Sequence, residues 1–217
     1  GVVLGVARNR AGDSAIHSSH RARGDTWARP TGGRHAGTPR ALRCRCPAAS
    51  GRLTRVTVCA REESPAGVFV GLSTLDLVQH ISPVPAADAK GTATWQELCG
   101  GGPALNAAVV FAALGGRATL VTRLGPGAVA DLVRADLAAH GVRVVDLADD
   151  DYSLAVSAIA VDPDRGTRQI ISTDAGRVAA PIDRLPPQAA EFVAHADVVL
   201  LDGHHPDLAA ATLEELA

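Results

Sequence analysis

The pair Gly101-Gly102, set at the head of a small-residue apolar stretch, constrains this chain more than any other feature. With no Cβ on either residue, the backbone can come close to a ligand there. The residues that follow, from Ala104 through Ala108 and on, predict a helix over 104–114, stopped by Gly115-Gly116. Asn106, one turn in, brings a donor and an acceptor to the same spot. The helix N-terminus adds unpaired N–H groups and a partial positive charge. This combination suits a polyhydroxylated ligand better than a hydride donor. Gly100–Gly102 also fails to follow a strand in a Gly-x-Gly-x-x-Gly frame, which argues against a Rossmann dinucleotide site.

Around this turn, short apolar runs alternate with helical patterns. Residues 68–72 form a buried-strand signal, and 77–81 and 92–95 read as short strands around a loop, 83–90, interrupted by two prolines. A strand is expected over 118–124, a helix over 129–140 with Gly141 just past its end, and a strand over 142–147. Strands 155–161 and 167–172 flank Asp162-Pro163-Asp164-Arg165-Gly166, a hairpin signal. A helix over 188–195, an apolar strand over 197–201 and a helix over 208–216 complete the pattern. Such alternation predicts an α/β sandwich with a mainly parallel sheet, and the early short strands fit a separate small sheet. The last helix has no closing strand after it, so the expected fold is unfinished.

Charge divides the chain unevenly. Residues 1–65 hold twelve arginines, no lysine and four acids, a net of +8; residues 66–217 carry −10, and together they give the overall −2. The first stretch has no sustained period of 2 or 3.6 and too little apolar surface to offset its ordering entropy. Three readings stand for it: a non-native N-terminus of GC-rich coding character, a disordered basic arm, or an Arg-rich targeting segment.

Cys44, Cys46, Cys59 and Cys99 do not make a disulfide framework in a chain this long, and Cys44-Arg45-Cys46 lacks the spacing of a zinc pair. No apolar run approaches a membrane span and none forms a secretory signal, so the cytoplasm is expected. His204-His205 follows a strand end and reads as a loop at the sheet's carboxyl edge rather than a metal pair. Asp149-Asp150-Asp151 reads as a solvated acidic loop, and no metal site is expected.

The longer pattern of Gly101-Gly102, Asn106, Ala108, Gly115 and Gly125 resembles the first signature of the PfkB/ribokinase family of carbohydrate kinases. The resemblance covers about residues 68–217 and none of 1–65. It looks closest to ketohexokinase and fructokinase-like members on four further features: Val70-Gly71-Leu72 through Leu75-Asp76, Trp95-Gln96, Pro126-Gly127 with Val129-Ala130-Asp131-Leu132, and Gly166-Thr167-Arg168 with Ile170. It implies a ribokinase-like α/β sandwich with a small β-sheet lid, and transfer of the γ-phosphate of ATP, with Mg2+, to a ketose hydroxyl. Carried over by position, Asp76, Gly101, Gly102 and Asn106 would bind the sugar and Arg168 would reach toward the nucleotide phosphates.

Pro103 stands where ketohexokinase has a sugar-contacting asparagine, and Gly125-Pro126-Gly127 replaces the Gly-Asp-Asp of ribokinase-type members. The family's Gly-Ala-Gly-Asp element, which supplies the anion-hole amides and the aspartate base, does not occur in this sequence. The expectation is therefore a kinase domain over 66–217, truncated in its nucleotide-binding part, with the base lying beyond Ala217 and the chain inactive as written. The intact protein is expected to be a homodimer binding sugar and ATP, with no membrane or nucleic-acid partner. The alternative is a non-catalytic sugar-binding or interaction protein with a basic N-terminal arm.

Overall fold

The computed structural model describes residues 3–8, 14–19, 64–173 and 179–217. Four strands make the parallel centre: β3 (Ala66–Val70), β6 (Arg117–Thr122), β7 (Arg143–Asp146) and β10 (Val198–Leu201). Their order across the sheet is β10-β3-β6-β7, every neighbouring pair parallel. Alternation along β3 explains the layering. Phe69 faces one way, into a core with Leu120 and the helices α1 (Pro103–Ala113) and α2 (Ala128–Ala139). Val68 and Val70 face the other way, against Val121, Val199, Leu201 and the helices α3 (Pro187–Ala194) and α4 (Pro206–Leu216). Two apolar faces demand helices on both sides, which is why the parallel strands carry near-continuous hydrophobic runs.

The remaining described strands form two additions. β4 (Thr74–His80), β5 (Trp95–Gly101), β8 (Val156–Asp162) and β9 (Thr167–Ser172) build a separate sheet ordered β5-β4-β8-β9. β4 pairs antiparallel with β5 and parallel with β8, and β8 with β9 forms the expected hairpin. Asp162 holds that hairpin: its Oδ1 accepts from Ser82 Oγ at 2.7 Å and from the N–H groups of Asp164 and Arg165 at 3.1 Å. The Ser82 bond first, and then Arg165, keep the Asp162 carboxyl below its ordinary range against the opposing effect of burial. β1 (Val3–Arg8) and β2 (Ser14–Ser19) extend the larger sheet antiparallel, β1 lying against β10.

Two sequence expectations need adjustment. The strand expected over 92–95 is instead Trp95–Gly101, so the glycine pair does end a strand. Leu105, where the dinucleotide fingerprint has its third glycine, still breaks that frame. The period-free stretch 1–65 contributes two strands through Val3–Arg8 and Ser14–Ser19, because backbone hydrogen bonding to the β10 edge needs no side-chain period. Cys44, Cys46, Cys59 and most of the arginine-rich stretch lie outside the described residues. Among the described residues no helix is long and apolar enough to cross a membrane.

Candidate functional site

β6 lies on one side of β3 and β10 on the other, so the strand order reverses at β3. In open α/β sheets the crevice outside the carboxyl ends at such a reversal is where ligands bind. The glycine turn sits on that crevice. Gly102 has φ +100°, and a Cβ there would overlap the Leu72 carbonyl oxygen, so two backbone segments meet where only glycine fits. The first helical bond of α1 follows at once, from Asn106 N–H to the Gly102 carbonyl at 2.9 Å.

Asp76 reaches the same place from β4. Its register partners put Thr74 opposite Gly101. Thr74 Oγ1 donates to Asp76 Oδ1 at 2.7 Å, and a Cβ on Gly101 would overlap the Asp76 carboxylate. Gly101 thus leaves room for the acid, while Gly102 leaves room for the backbone. Asn106 is exposed, and its side-chain amide makes no hydrogen bond among the described residues. The structure therefore joins Asp76 to Gly101 by contact, and Gly102 and Asn106 to both through one turn of α1.

Arg168 is not brought to this cluster. Asp76 shares its register row with Ser157 and Ser172, whereas Arg168 pairs with Val161 and so lies level with His80, four positions further along β4. That separation is about 13 Å at the usual rise per strand residue.

The remaining signature glycines position rather than bind. Gly115, at φ +92° with nothing near its missing Cβ, turns the chain out of α1. Gly125, at φ +70°, packs under the Tyr152 carbonyl, and its N–H donates to Asp146 Oδ2 at 3.1 Å. Arg134 closes the turn, donating to the Gly125 carbonyl and to Asp146, both at 2.7 Å.

Sequence reasoning missed the residue that ties the site together. Asp202, 1% exposed, follows β10 directly. Its Oδ2 accepts from the N–H of Leu72 at 2.8 Å and of Ala104 at 3.1 Å; its Oδ1 accepts from His204 N–H at 2.9 Å, with His204 Nδ1 at 3.2 Å. Gly71 is glycine because a Cβ would overlap this carboxylate. An acid placed immediately after an apolar strand, at the sheet's carboxyl edge, was the available signal. Two other helpers had none: Asp136 of α2 accepts from Gly100 N–H at 2.7 Å, and the Thr122 hydroxyl donates to the Gly71 carbonyl at 2.7 Å.

Nearby titrating groups are not poised as nucleophiles. Burial, reinforced by Asp76, Glu97 and Asp136, pushes the Cys99 thiol up, which keeps it protonated. His205 stands at the N-terminal edge of α4, where burial and then Arg123 hold it below its ordinary value. Among the described residues no three His, Cys, Asp or Glu side chains converge as a metal site. A cavity of about 440 Å³ lies at the other end of the strands, lined by Gly67, Arg117, Arg143, Phe192 and His195 among others, far along the sheet from the glycine turn.

A doubly covered parallel sheet whose strand order reverses at β3, with a separate four-stranded sheet, defines an α/β domain of the doubly wound kind. The chain belongs to the pfkB family of carbohydrate kinases, whose family model matches residues 68–217. Its fold is that of the ribokinases. It is similar to a candidate ribokinase from Agrobacterium tumefaciens (25% identity, TM-score 0.54, covering 70% of this chain and 49% of that one). It is also similar to the Arabidopsis thaliana ribokinase, solved with ribose and ATP (20% identity, TM-score 0.51, 71% and 52% covered), and to a Giardia lamblia ribokinase (14%, 0.53, 70% and 47%). This chain spans about half the length of those structures. No curated protein sequence matches it.

Proposed function

We propose that this chain supplies the sugar-recognising part of an ATP-dependent kinase that phosphorylates a hydroxyl of a ketose. The observation that carries the reading is the contact of Asp76 with the glycine turn, one helical turn from an unengaged Asn106, at the strand-order reversal. A carboxylate can accept from two vicinal hydroxyls, and its charge strengthens each bond. An amide beside it offers both a donor and an acceptor, so a polyol is matched on more than one edge. Gly101 and Gly102 contribute by absence, leaving backbone within reach of the bound sugar. The ketohexokinase-like features of the sequence favour a ketose, with fructose as the first candidate.

ATP is the phosphoryl donor in this reading, supported by family membership and by the nucleotide bound in the Arabidopsis ribokinase. Arg168 is assigned to the nucleotide phosphates, a role its guanidinium suits, and its register four positions along the lid from Asp76 supports a role apart from the sugar. Mg2+ would be held largely by the nucleotide phosphates and water, with one or two carboxylates. The sequence does not contain the Gly-Ala-Gly-Asp element expected to hold the base. The chain as written therefore binds without turning over. Residues 66–217 form the kinase part, supported by a family match that starts at Val68, and 1–65 form an appended extension. A homodimer through the lid is part of the same proposal, supported by Leu98 and Ile171, 54% and 75% exposed in one register row of that sheet.

Thermal unfolding in the presence of fructose, ribose and a non-sugar polyol tests the reading, alongside an ATP-turnover assay. Stabilisation by fructose ahead of the others, without turnover, is expected. Stabilisation by none of the sugars would overturn it.

A further inference from the structure

We propose that Asp202 is the positioning residue that tunes this site for uncharged sugars, by fixing the α1 N-terminus against the end of β3 and cancelling its attraction for phosphate. This rests on the reading of the glycine turn as a sugar site, and concerns which sugars it takes.

A helix N-terminus is ordinarily an anion site, because its first N–H groups are unpaired and its dipole is positive there. In α1 the first two of those positions are already taken. Pro103, the first helical residue, has no N–H. Ala104, the second, donates its N–H to Asp202 Oδ2 at 3.1 Å. The same oxygen takes the Leu72 N–H at 2.8 Å, so one buried carboxylate joins the entry to β4, the start of α1 and the end of β10. Its negative charge sits where an incoming phosphate would otherwise be favoured.

The charges around it point the same way. Asp76 lies against Gly101, and Asp136 accepts from Gly100 N–H, so three carboxylates line the chain between Gly100 and Ala104. The nearby guanidinium groups are engaged elsewhere: Arg123 with Asp207, Arg134 with Asp131 and Asp146. His204 approaches with Nδ1 3.2 Å from Asp202 Oδ1, and His205 lies near enough to feel the same carboxylate. A neutral polyol loses nothing in this field and gains acceptors for its hydroxyls. A phosphorylated sugar brings close to two negative charges into it.

Isothermal titration of the 217-residue chain with fructose, and separately with fructose 6-phosphate, tests this. The wild type is expected to bind fructose at least about tenfold more tightly than the phosphate ester. Asp202→Asn keeps an acceptor for Leu72 and Ala104 but removes the charge, and is expected to narrow that ratio about fivefold or more, the size of a partly buried charge at a helix end. Asn106→Ala is expected to weaken both ligands and leave the ratio unchanged. Amide hydrogen exchange of Asp202→Ala should quicken at Leu72 and Ala104 while Leu120 in β6 stays protected.

Equal wild-type affinity for the two ligands would overturn the proposal and leave the sugar site standing, a result that needs no variant to fold. An unchanged ratio in a folded Asp202→Asn, or exchange that quickens everywhere at once, would also overturn it. Binding of neither ligand would overturn both the proposal and the sugar site.

Discussion

At the scale of single residues, the account separates side chains that would touch sugar from those that hold them in place. Asn106 is exposed and its side-chain amide makes no hydrogen bond among the described residues, so Asn106→Ala is expected to lower fructose affinity about tenfold with almost no change in Tm. Calorimetric titration beside a thermal scan checks both halves. Asp207 is a contrasting case. Hydrogen bonds from Arg123, a guanidinium 3% exposed, hold its carboxyl far below the ordinary range against the opposing effect of burial, and the Ile182 N–H adds to this at 3.0 Å. A carboxyl depressed on folding contributes stability above its unfolded value, about 3.9, and that contribution is lost as the pH falls below it. The wild-type Tm is therefore expected to drop as pH is lowered from 5 toward 2, and Asp207→Asn to start lower and drop less. A pH series of thermal scans on both proteins decides it. That Gly101, Gly102 and Asn106 lie together was legible in the sequence because they share one local spacing pattern; Asp76 was expected at the end of the first strand, and the structure puts it inside β4. Asp202 was not legible, since its partners are 98 and 130 residues away and only the folded sheet brings them to it.

At the scale of elements, the glycines of the signature make an ordered set of predictions. Gly115 and Gly125 both have positive φ, but only Gly125 also lacks room for a Cβ. Gly115→Ala is expected to cost about 1 kcal/mol, the backbone term alone. Gly125→Ala is expected to cost more, about 2–3 kcal/mol, because strain adds to a clash with the Tyr152 carbonyl. Denaturant unfolding of the pair gives the order, and equal costs would contradict it. The parallel strands and four helices were legible because their apolar runs and caps are local. β5 was misplaced because Glu97, Cys99 and the glycines show no strand pattern of their own; pairing with β4 from Thr74 to His80 imposes it. The β1–β2 pair was missed for the related reason that an edge offers backbone hydrogen bonds to almost any sequence.

At the scale of the whole molecule, the lid leaves Leu98 and Ile171 exposed in one register row, through Leu77 and Ala158, of a sheet only four strands wide. If that face pairs two copies, sedimentation should show a mass that rises with concentration, and Ile171→Glu should give a monomer that still binds sugar. The proposed sugar site lies at the carboxyl ends of β3 and β10, whereas the cavity lined by Arg117, Arg143 and Phe192 lies at the amino ends. Fructose should be titrated into isotopically labelled protein while backbone amide shifts are followed. The account predicts saturable shifts at Gly101, Gly102, Asn106 and Asp76, with none at Gly67, Arg117 or Arg143. Shifts confined to the amino-end cavity, or no saturable shifts at all, would contradict it.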